Sequence, residues 1–199
     1  MKPILITGVS VAANTAGLAN NVGGTSGTAF VLAANDAADD LGHKVIVTNN
    51  SATDYSGGGK TIALVGTNPG GEPQTETLTG PGSSVTSTST KYWKSLTSAT
   101  PNFTLGGGDT FDIGWTAGSA SPWHFLNDNW QPPGMGFGTS VDSGSPTYGV
   151  EQQYGDGVAF THATVTAETT AQEGGYTYPV RAIRLIWTAA GGVTLRAWY

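Results

Sequence analysis

The fold class is decided by the stretch KTIALVGTNPGGEPQTETL, which runs from Lys60 to Leu78. Its first part, Lys60–Thr67, is rich in β-branched and aliphatic residues, and its last part, Glu72–Leu78, has an alternating pattern. Between them, Asn68–Gly71 contains a proline and two glycines, which favour a tight turn. Two strand-like runs on either side of a turn predict an antiparallel β-hairpin.

Further strand patterns extend in both directions from this hairpin. They lie at Lys44–Asn49, Val85–Thr90, Lys91–Ser98, Thr110–Thr116, Thr147–Tyr154, Thr161–Thr169, Val180–Ala189 and Val193–Tyr199. We expect Val85–Thr90 and Lys91–Ser98 to form a second hairpin. The last two strands are expected to form a third hairpin through the turn signal Ala190-Gly191-Gly192. The prolines and glycines of Ser121–Ser145 predict short strands joined by an aromatic-rich loop.

The spacing of these strands predicts the architecture. Short strands with turn signals every ~8–12 residues are typical of an antiparallel β-sandwich or a barrel-like domain. Helical periodicity is confined to Asn35–Gly42, where we expect at most a single turn. We therefore predict an all-β domain over residues 36–199, with two subdomains meeting near 118–121 as an option. Residues 1–35, rich in Gly, Ala, Asn and Thr, are predicted to form a partly extended N-terminal arm, with edge strands at Val9–Ala13 and Ala29–Leu32 as an option.

Composition and charge argue against several function classes. The formal net charge is −6, and eight Lys and Arg in 199 residues offer no basic stripe for phosphates, so we expect no direct nucleic-acid binding. A chain without cysteine forms neither disulfides nor thiolate metal sites. The apolar run Ile4–Ile6 is shorter than a signal-peptide core of ~7–15 residues, and no stretch approaches a membrane span of ~18 apolar residues. We expect synthesis in the cytoplasm and no membrane partner.

Candidate phosphate and zinc sites fail on spacing or context. The run Gly57-Gly58-Gly59-Lys60-Thr61 resembles the end of a phosphate-binding loop, but the first glycine of that motif would fall at Asp54. A strand pattern follows it, whereas the motif needs a helix whose N-terminus holds the phosphate. The histidines are His43, His124 and His162, and none has a partner at the i+2 or i+4 spacing of a zinc site.

Carboxylates supply the remaining catalytic and metal candidates. The pairs able to act as an acid and a base are Asp109 with Asp112 and Asp128 with Asp142. These aspartates fit turn and surface positions, since Asp109 follows three glycines and Asp128 lies between two asparagines. The acidic group Asp36, Asp39 and Asp40 lacks the glycine and the terminal glutamate of a calcium-binding EF-hand loop. We therefore predict a protein that is not an enzyme and that uses no metal or other cofactor.

The most informative feature is a group of large apolar side chains within the irregular segment. Its members are Trp123, Phe125, Trp130, Met135 and Phe137. Three interpretations are open: a core patch under a long loop, a contact surface, because Trp, Phe and Met are enriched in interface cores, and a carbohydrate platform. We predict partner-binding roles for this group, for Ile4, Leu5 and Ile6 of the arm, and for the last two residues. Those two, Trp198 and Tyr199, are included because a chain end frays unless it packs against something.

Several stretches carry a resemblance to a known group of proteins. They are TETLTGP (Thr75–Pro81), VTST (Val85–Thr88), KYWKSLTS (Lys91–Ser98), YPVRAIRL (Tyr178–Leu185) and GVTL (Gly192–Leu195). These stretches resemble small structural proteins of tailed bacteriophage particles. The resemblance implies a virion component without catalytic residues, assembled in the host cytoplasm, and first of all a head decoration or cement protein.

The resemblance also implies partners. Decoration proteins commonly bind the outside of a capsid lattice as small oligomers and bridge its capsomers. We therefore expect contacts with the major capsid protein or other virion subunits, and a homo-oligomer, with a trimer as one option. Two alternatives stay open: a tail, neck or fibre-associated virion subunit, and a carbohydrate-binding module that uses Trp123 and Trp130 as stacking platforms.

Overall fold

The computed structural model describes residues 3–126, 134–155, 157–177 and 179–198. Within these ranges the chain forms thirteen strands and no helix, arranged in antiparallel sheets of ten and three strands. The prediction of an all-β fold is confirmed, and the closure of the sheets into a sandwich or barrel stays a prediction. The strands are β1 Pro3–Ser10, β2 Asn14–Val22, β3 Gly42–Asn49, β4 Thr61–Thr67, β5 Pro73–Thr79, β6 Thr86–Thr88, β7 Ser95–Pro101, β8 Phe111–Ala120, β9 His124–Phe125, β10 Met135–Gln153, β11 Phe160–Thr161, β12 Glu173–Tyr176 and β13 Ala182–Trp198.

The chain divides into two compact units. Unit 1 comprises residues 1–12 and 117–199, and unit 2 comprises residues 13–116. The optional boundary predicted near 118–121 lies within two residues of the division after Thr116, whereas the predicted arm at 1–35 does not coincide with a unit. In the structure the first twelve residues belong with the C-terminal part of the chain, because β1 pairs with β13.

In unit 2 the hairpin predicted around Asn68–Gly71 is confirmed. β4 pairs with β5 in continuous register from Thr61↔Thr79 to Thr67↔Pro73, and β7 pairs with the other edge of β4. Ile62 and Leu64 are fully buried and alternate with exposed neighbours, because successive side chains of a strand point to opposite faces. The core that they enter also contains Leu18, Phe30, Val45, Val47, Tyr55, Leu78, Trp93, Leu96, Phe103, Phe111 and Ile113.

The predicted second hairpin, Val85–Thr90 with Lys91–Ser98, is wrong. Its first strand is the short β6, which pairs with β3, whereas its second strand is β7, which pairs with β4. The segment between these two strands makes hydrogen bonds elsewhere: the Glu76 carboxylate accepts the N–H of Thr90 at 2.7 Å. Trp93 is buried and exchanges backbone hydrogen bonds with His43 at 2.8 and 2.9 Å, so the chain is tied to β3 at this point.

Unit 1 is built on two long neighbouring strands. β10, with 19 residues, pairs with β13, with 17 residues, from Gly136↔Trp198 to Gln153↔Ala182. The prediction of short strands and a loop in Ser121–Ser145 is therefore wrong from Met135 onward, where β10 begins. Shorter strands flank this pair: β1, β8 and β9 pair with β13, and β11 and β12 pair with β10.

The predicted hairpin at Ala190-Gly191-Gly192 is also wrong, because β13 runs through these residues without turning. Gly191 lies opposite Gly144 on one side and Ser10 on the other. Its φ of 146° is one that side-chain-bearing residues rarely adopt. A Cβ atom at Gly191 would lie 2.8–2.9 Å from atoms of Pro146 and Ser143, where the register of β10 shifts. The glycine thus lies where two backbones approach closely at a β-bulge. Glycines occur at such bulges as they do in turns, so the two cannot be told apart from local composition.

The segment predicted as an arm contributes two strands. β1 pairs with β13 over its whole length, and β2 pairs with β8. Ile4 and Ile6 are buried under β1, whereas Leu5 and Val9 point outward. Strict alternation of this kind buries one face of a strand, and this burial is the physical reason that β1 joins a sheet.

Two further predicted elements differ from the structure. In Asn35–Gly42 no helical turn forms, because Asp36 and Asp39 accept the N–H groups of Ala38 and Leu41 in local side-chain turns. Positive φ angles of 59° at Ala38 and 61° at Asp40 are also incompatible with a right-handed helix. The strand predicted at Thr161–Thr169 is reduced to the two-residue β11 and an isolated bridge between Glu168 and Tyr148.

Candidate interaction surfaces

Large apolar side chains are exposed unevenly over the two units. Among the described residues, unit 2 exposes only valines, whereas unit 1 exposes four aromatic residues as well as aliphatic ones. The most exposed members in unit 1 are Leu5 at 64%, Phe125 at 60% and Val9 at 54%, and Trp198 is 44% exposed. Exposed apolar patches mark contact sites more often than scattered single residues do.

The first surface lies around β9, which pairs with β13 through Phe125↔Ala182 and His124↔Ile183. The guanidinium of Arg184 lies 4.4 Å from the ring centroid of Trp123, a cation–π contact. Arg184 Nε and Nη2 also donate to the same carboxylate oxygen of Glu151, at 2.7 and 2.6 Å. The Trp123 ring is thus positioned over an ion pair that is itself largely buried.

Further aromatic residues are exposed on both faces of this part of the sheet. Phe125 follows Trp123 by two residues, and most of its side chain is in solvent. Tyr154 and Phe160 form an exposed pair with ring centroids 5.5 Å apart. Phe160 lies opposite Gln152, which lies opposite Ile183, the partner of His124, so this pair is on the other face of the sheet from Phe125. Phe125 and Trp123, together with Arg184 and Glu151, are called the β9 surface below.

The second surface is the outer face of β1 and the adjoining part of β13. Pro3 lies opposite Trp198, Leu5 opposite Arg196, and Val9 opposite Gly192. Directly opposed residues of an antiparallel pair share one face of the sheet. Pro3, Leu5, Arg196 and Trp198 therefore project on the same, solvent-exposed side.

Other residues predicted to bind a partner are buried. Ile4 and Ile6 lie on the inner face of β1, and Met135 and Phe137 are covered within unit 1. Phe137 packs edge-on against His162 and is tilted against Tyr176, with ring centroids 5.1 and 5.6 Å apart. These four residues therefore support the surfaces from inside. Trp130 and Tyr199 lie outside the described residues.

A cavity of about 300 Å³ lies beside this aromatic–histidine cluster. It is lined by Gln152, Thr161, His162, Ala163, Thr164, Gly175, Tyr176 and Thr177, none of which carries a carboxylate. The Thr164 N–H donates to His162 Nδ1 at 3.3 Å, so His162 carries its proton on Nε2, which lies 3.4 Å from the carbonyl oxygen of Gly175. Both ring nitrogens of His162 thus have partners within the protein.

The carboxylates singled out in the sequence have structural partners. Asp109 accepts a hydrogen bond from the Tyr55 hydroxyl at 2.6 Å, which lowers the pKa of the Asp109 carboxyl. Burial, and then the same hydrogen bond, raise the pKa of Tyr55. Asp112 accepts the N–H of Asn21 at 2.7 Å, and Asp142 accepts from Thr194 and Ser140. Asp128 lies outside the described residues.

The acidic group before β3 forms turns and ion pairs. Asp39 binds Nε2 of His43 at 2.7 Å, while Nδ1 of His43 bonds to the carbonyl oxygen of Thr116 at 2.9 Å. Asp40 lies 3.4 Å from the ammonium of Lys94. Over the ranges that the structure describes, no three His, Asp or Glu side chains converge as a metal site would require.

The glycine run resembling a phosphate-binding loop leads into β4, as its sequence context indicates. Lys60 donates to the carbonyl oxygen of Asp54 at 3.3 Å and lies over the ring of Tyr55. Across residues 3–126 and the later described ranges, no helix has the length and apolarity that a membrane crossing requires.

No protein-family model, curated protein sequence or solved structure matches this chain. The functional assignment below therefore depends on its own residues and on the resemblance described above.

Sequence patterns missed two parts of these surfaces. The contact of Arg184 with Trp123 and Glu151 joins β13, β10 and the residue before β9, and no local spacing indicates it. Val9 could have been found, because it continues the outward alternation of Leu5 and Thr7 along β1.

Proposed function

We propose that the chain is a non-enzymatic structural protein of a tailed bacteriophage particle, and specifically a decoration or cement protein of the head shell. The observation that carries this proposal is the exposure of Phe125, Trp198 and Leu5 in unit 1. Aromatic side chains that are ordered by a sheet but left in solvent provide apolar contact area at low conformational cost. The resemblance of the Thr75–Pro81 and Lys91–Ser98 stretches points to a virion partner.

The charge distribution is consistent with a protein partner. With few Lys and Arg and a net charge of −6, the chain relies on apolar and hydrogen-bonded contacts. Strand edges in a β-rich chain also provide backbone groups that a neighbouring subunit can pair with. We therefore propose the major capsid protein or another virion subunit as partner, reached through the β9 surface and the outer face of β1.

The direct experiment measures binding of the purified chain to head shells that lack it. Phe125→Ser and Trp198→Ser are each expected to weaken binding at least ~10-fold, as loss of an interface anchor does. Val31→Ser is the matched control, because Val31 is 80% exposed but belongs to unit 2. Failure of the wild-type chain to bind shells, or equal losses for all three variants, would contradict the proposal. A map of the native particle would separate a head protein, repeated over the shell, from a tail or neck ring.

One observation favours a second candidate, a carbohydrate-binding module. The Trp123 ring is held by the ion-paired Arg184, and a fixed aromatic ring is a platform on which a sugar ring stacks. On this hypothesis a glycan array gives specific binding that Trp123→Ala abolishes, with Trp198→Ala as the control. Absence of any glycan binding by the wild-type chain would remove the hypothesis.

A further inference from the structure

Strand β1 has one satisfied edge and one open edge. It pairs with β13 through all eight residues, and among the described residues no other strand pairs with it. In an antiparallel pair every second residue turns its N–H and C=O away from the partner strand. The outer edge of β1 therefore presents a row of backbone donors and acceptors that is available to an additional strand.

This edge lacks the features with which proteins usually block such pairing. Between Pro3 and Ser10 there is no charged residue, and the register with β13 contains no bulge. The single proline stands at the first position, where it does not interrupt an added strand. In a chain with a net charge of −6, an uncharged edge can approach a copy of itself without bringing like charges together.

We propose that β1 pairs antiparallel with β1 of a second copy of this chain, about a two-fold axis at Thr7. The burial pattern limits the possible registers, and the exposed apolar residues Leu5 and Val9 select among them. Ile4 and Ile6 face inward and Leu5, Thr7 and Val9 face outward, and opposed residues must share a face. A two-fold axis at Thr7 meets this condition, and it places Leu5 of each copy opposite Val9 of the other.

The same register covers exposed apolar surface. Leu5 and Val9 are both more than half exposed in the single chain, and the pairing brings them together twice across the axis. Thr7 meets Thr7 of the second copy, a cross-strand pair that is favourable in sheets. The two-fold arrangement is isologous, so it closes at a dimer and does not propagate into a fibre.

The small area of this contact indicates a weak dimer in solution. An eight-residue strand is about 26 Å long, and its edge covers on the order of 500 Å² of total surface in a strand pair. Stable dimers bury at least about 1,200 Å², so the dissociation constant in solution is expected on the order of 0.1–1 mM. Copies held side by side by a common partner would pair far more completely, because their effective concentration is in the millimolar range.

Cross-linking tests the pairing and its register, and the natural absence of cysteine makes single-cysteine variants clean probes. Thr7→Cys is expected to form disulfide-linked dimers under mild oxidation, because opposed Cα atoms lie about 4.5–5.5 Å apart, within disulfide range. Leu5→Cys alone should link at least tenfold more slowly, since Leu5 of the two copies would lie about 13 Å apart. In an equimolar mixture of Leu5→Cys and Val9→Cys chains about half of the dimers oppose two cysteines, so this mixture should link about half as fast as Thr7→Cys alone.

A charge experiment tests the same axis without a covalent bond. In sedimentation at about 1 mM chain, Thr7→Lys and Thr7→Glu should each weaken dimerisation about fivefold, and their equimolar mixture should restore it. Unchanged thermal unfolding of each variant verifies the fold. A wild-type chain that stays monomeric at this concentration, or Leu5→Cys that links as fast as Thr7→Cys, overturns the proposal. Both experiments use the purified chain alone, so their outcome is independent of shell binding.

Discussion

Both units bury aromatic side chains, but among the described residues only unit 1 also exposes them. In unit 2, Tyr55, Phe103 and Phe111 pack on one another with ring centroids 5.0–6.2 Å apart, and all three are buried. In unit 1, Phe125 and Trp198 project into solvent from strands whose backbones are paired. The difference separates two uses of the same residue type: buried aromatic side chains such as Phe111 and Tyr148 stabilise both units, whereas Phe125 and Trp198 of unit 1 remain available for contact.

The units also differ in the interactions that stabilise their backbones. Unit 1 has long pairing between β10 and β13, interrupted by register shifts between Val141 and Tyr148, with β1 added along one edge. The strands of unit 2 have at most ten residues each and surround an apolar cluster that includes Ile62 and Leu64. Unit 1 therefore tolerates exposed apolar residues, since pairing with β13 orders the backbones of β1 and β9 without burying Leu5 or Phe125.

The largest predicted effect tests this division directly. Phe111→Ala removes a fully buried ring from the unit 2 core and is expected to cost about 3–5 kcal/mol of the free energy of unfolding. Phe125→Ala removes a ring of the same type from unit 1 and is expected to cost less than about 1 kcal/mol. Urea unfolding followed by circular dichroism measures both. Equal costs would show that Phe125 belongs to a core and would break the comparison.

A second pair of variants tests the long strands of unit 1. Gly191→Ala places a Cβ against Pro146 and Ser143 at a positive φ, and is expected to destabilise the chain by about 2–3 kcal/mol. Gly136→Ala, on the same strand pair, meets no atom within 4 Å and should be neutral within about 1 kcal/mol. Thermal unfolding compares the two variants. If Gly191→Ala is neutral, the approach of Pro146 and Ser143 does not require a glycine at this position.

Gly191 also shows how far local sequence can predict this fold. Alternation and turn chemistry correctly predicted the all-β class and the β4–β5 hairpin, because both are local properties of the chain. A pair of glycines between apolar runs, however, has the same composition whether the strand turns or passes a bulge in its neighbour. Only the position of β10 distinguishes the two, and that position depends on residues some 45 positions away in sequence, such as Pro146.

The candidate surfaces were predictable to a similar extent. Leu5 and Phe125 were predicted as contact residues and are exposed, but their neighbours Ile4 and Ile6, and Met135 and Phe137, are buried. The sequence shows that a segment is apolar, whereas exposure depends on which face of the strand the remaining sheet covers. Alternation in β1 could have separated Leu5 from Ile4 and Ile6, but nothing local placed Arg184 under Trp123.

A third prediction concerns that contact. Arg184→Leu keeps an aliphatic side chain under Trp123 but leaves the Glu151 carboxylate, which is mostly buried, without its two donors. We expect a loss of about 2 kcal/mol in the free energy of unfolding, as for other hydrogen bonds to charged groups. Arg196→Leu, an exposed arginine of the same strand, should change it by less than about 0.5 kcal/mol. If both variants lose the same amount, the Arg184–Glu151 pair is not what orders the β9 surface.

The smallest predicted effect is that of a substitution in the aromatic core of unit 2. Tyr55→Phe keeps the ring but removes the hydroxyl that donates to Asp109 and accepts the Gly106 N–H at 2.7 Å. Near neutral pH we expect a loss of about 1 kcal/mol, because the Gly106 N–H loses its acceptor. Tyr154→Phe, at an exposed tyrosine of unit 1, should cost less than about 0.5 kcal/mol.

The pH dependence gives the Tyr55→Phe prediction a distinctive form. The lowered pKa of Asp109 contributes stability above its usual value of 3.8, and this contribution is lost as the pH falls through the folded-state pKa. The raised pKa of Tyr55 contributes stability that is present below pH 10.0 and is lost as the pH rises through the folded-state pKa, and phenylalanine cannot ionise. The difference in the free energy of unfolding between wild type and Tyr55→Phe should therefore be largest between these two pKa limits and should become smaller at lower and at higher pH. Urea midpoints across the pH range measure this, and a difference independent of pH would mean that the hydroxyl acts by packing alone.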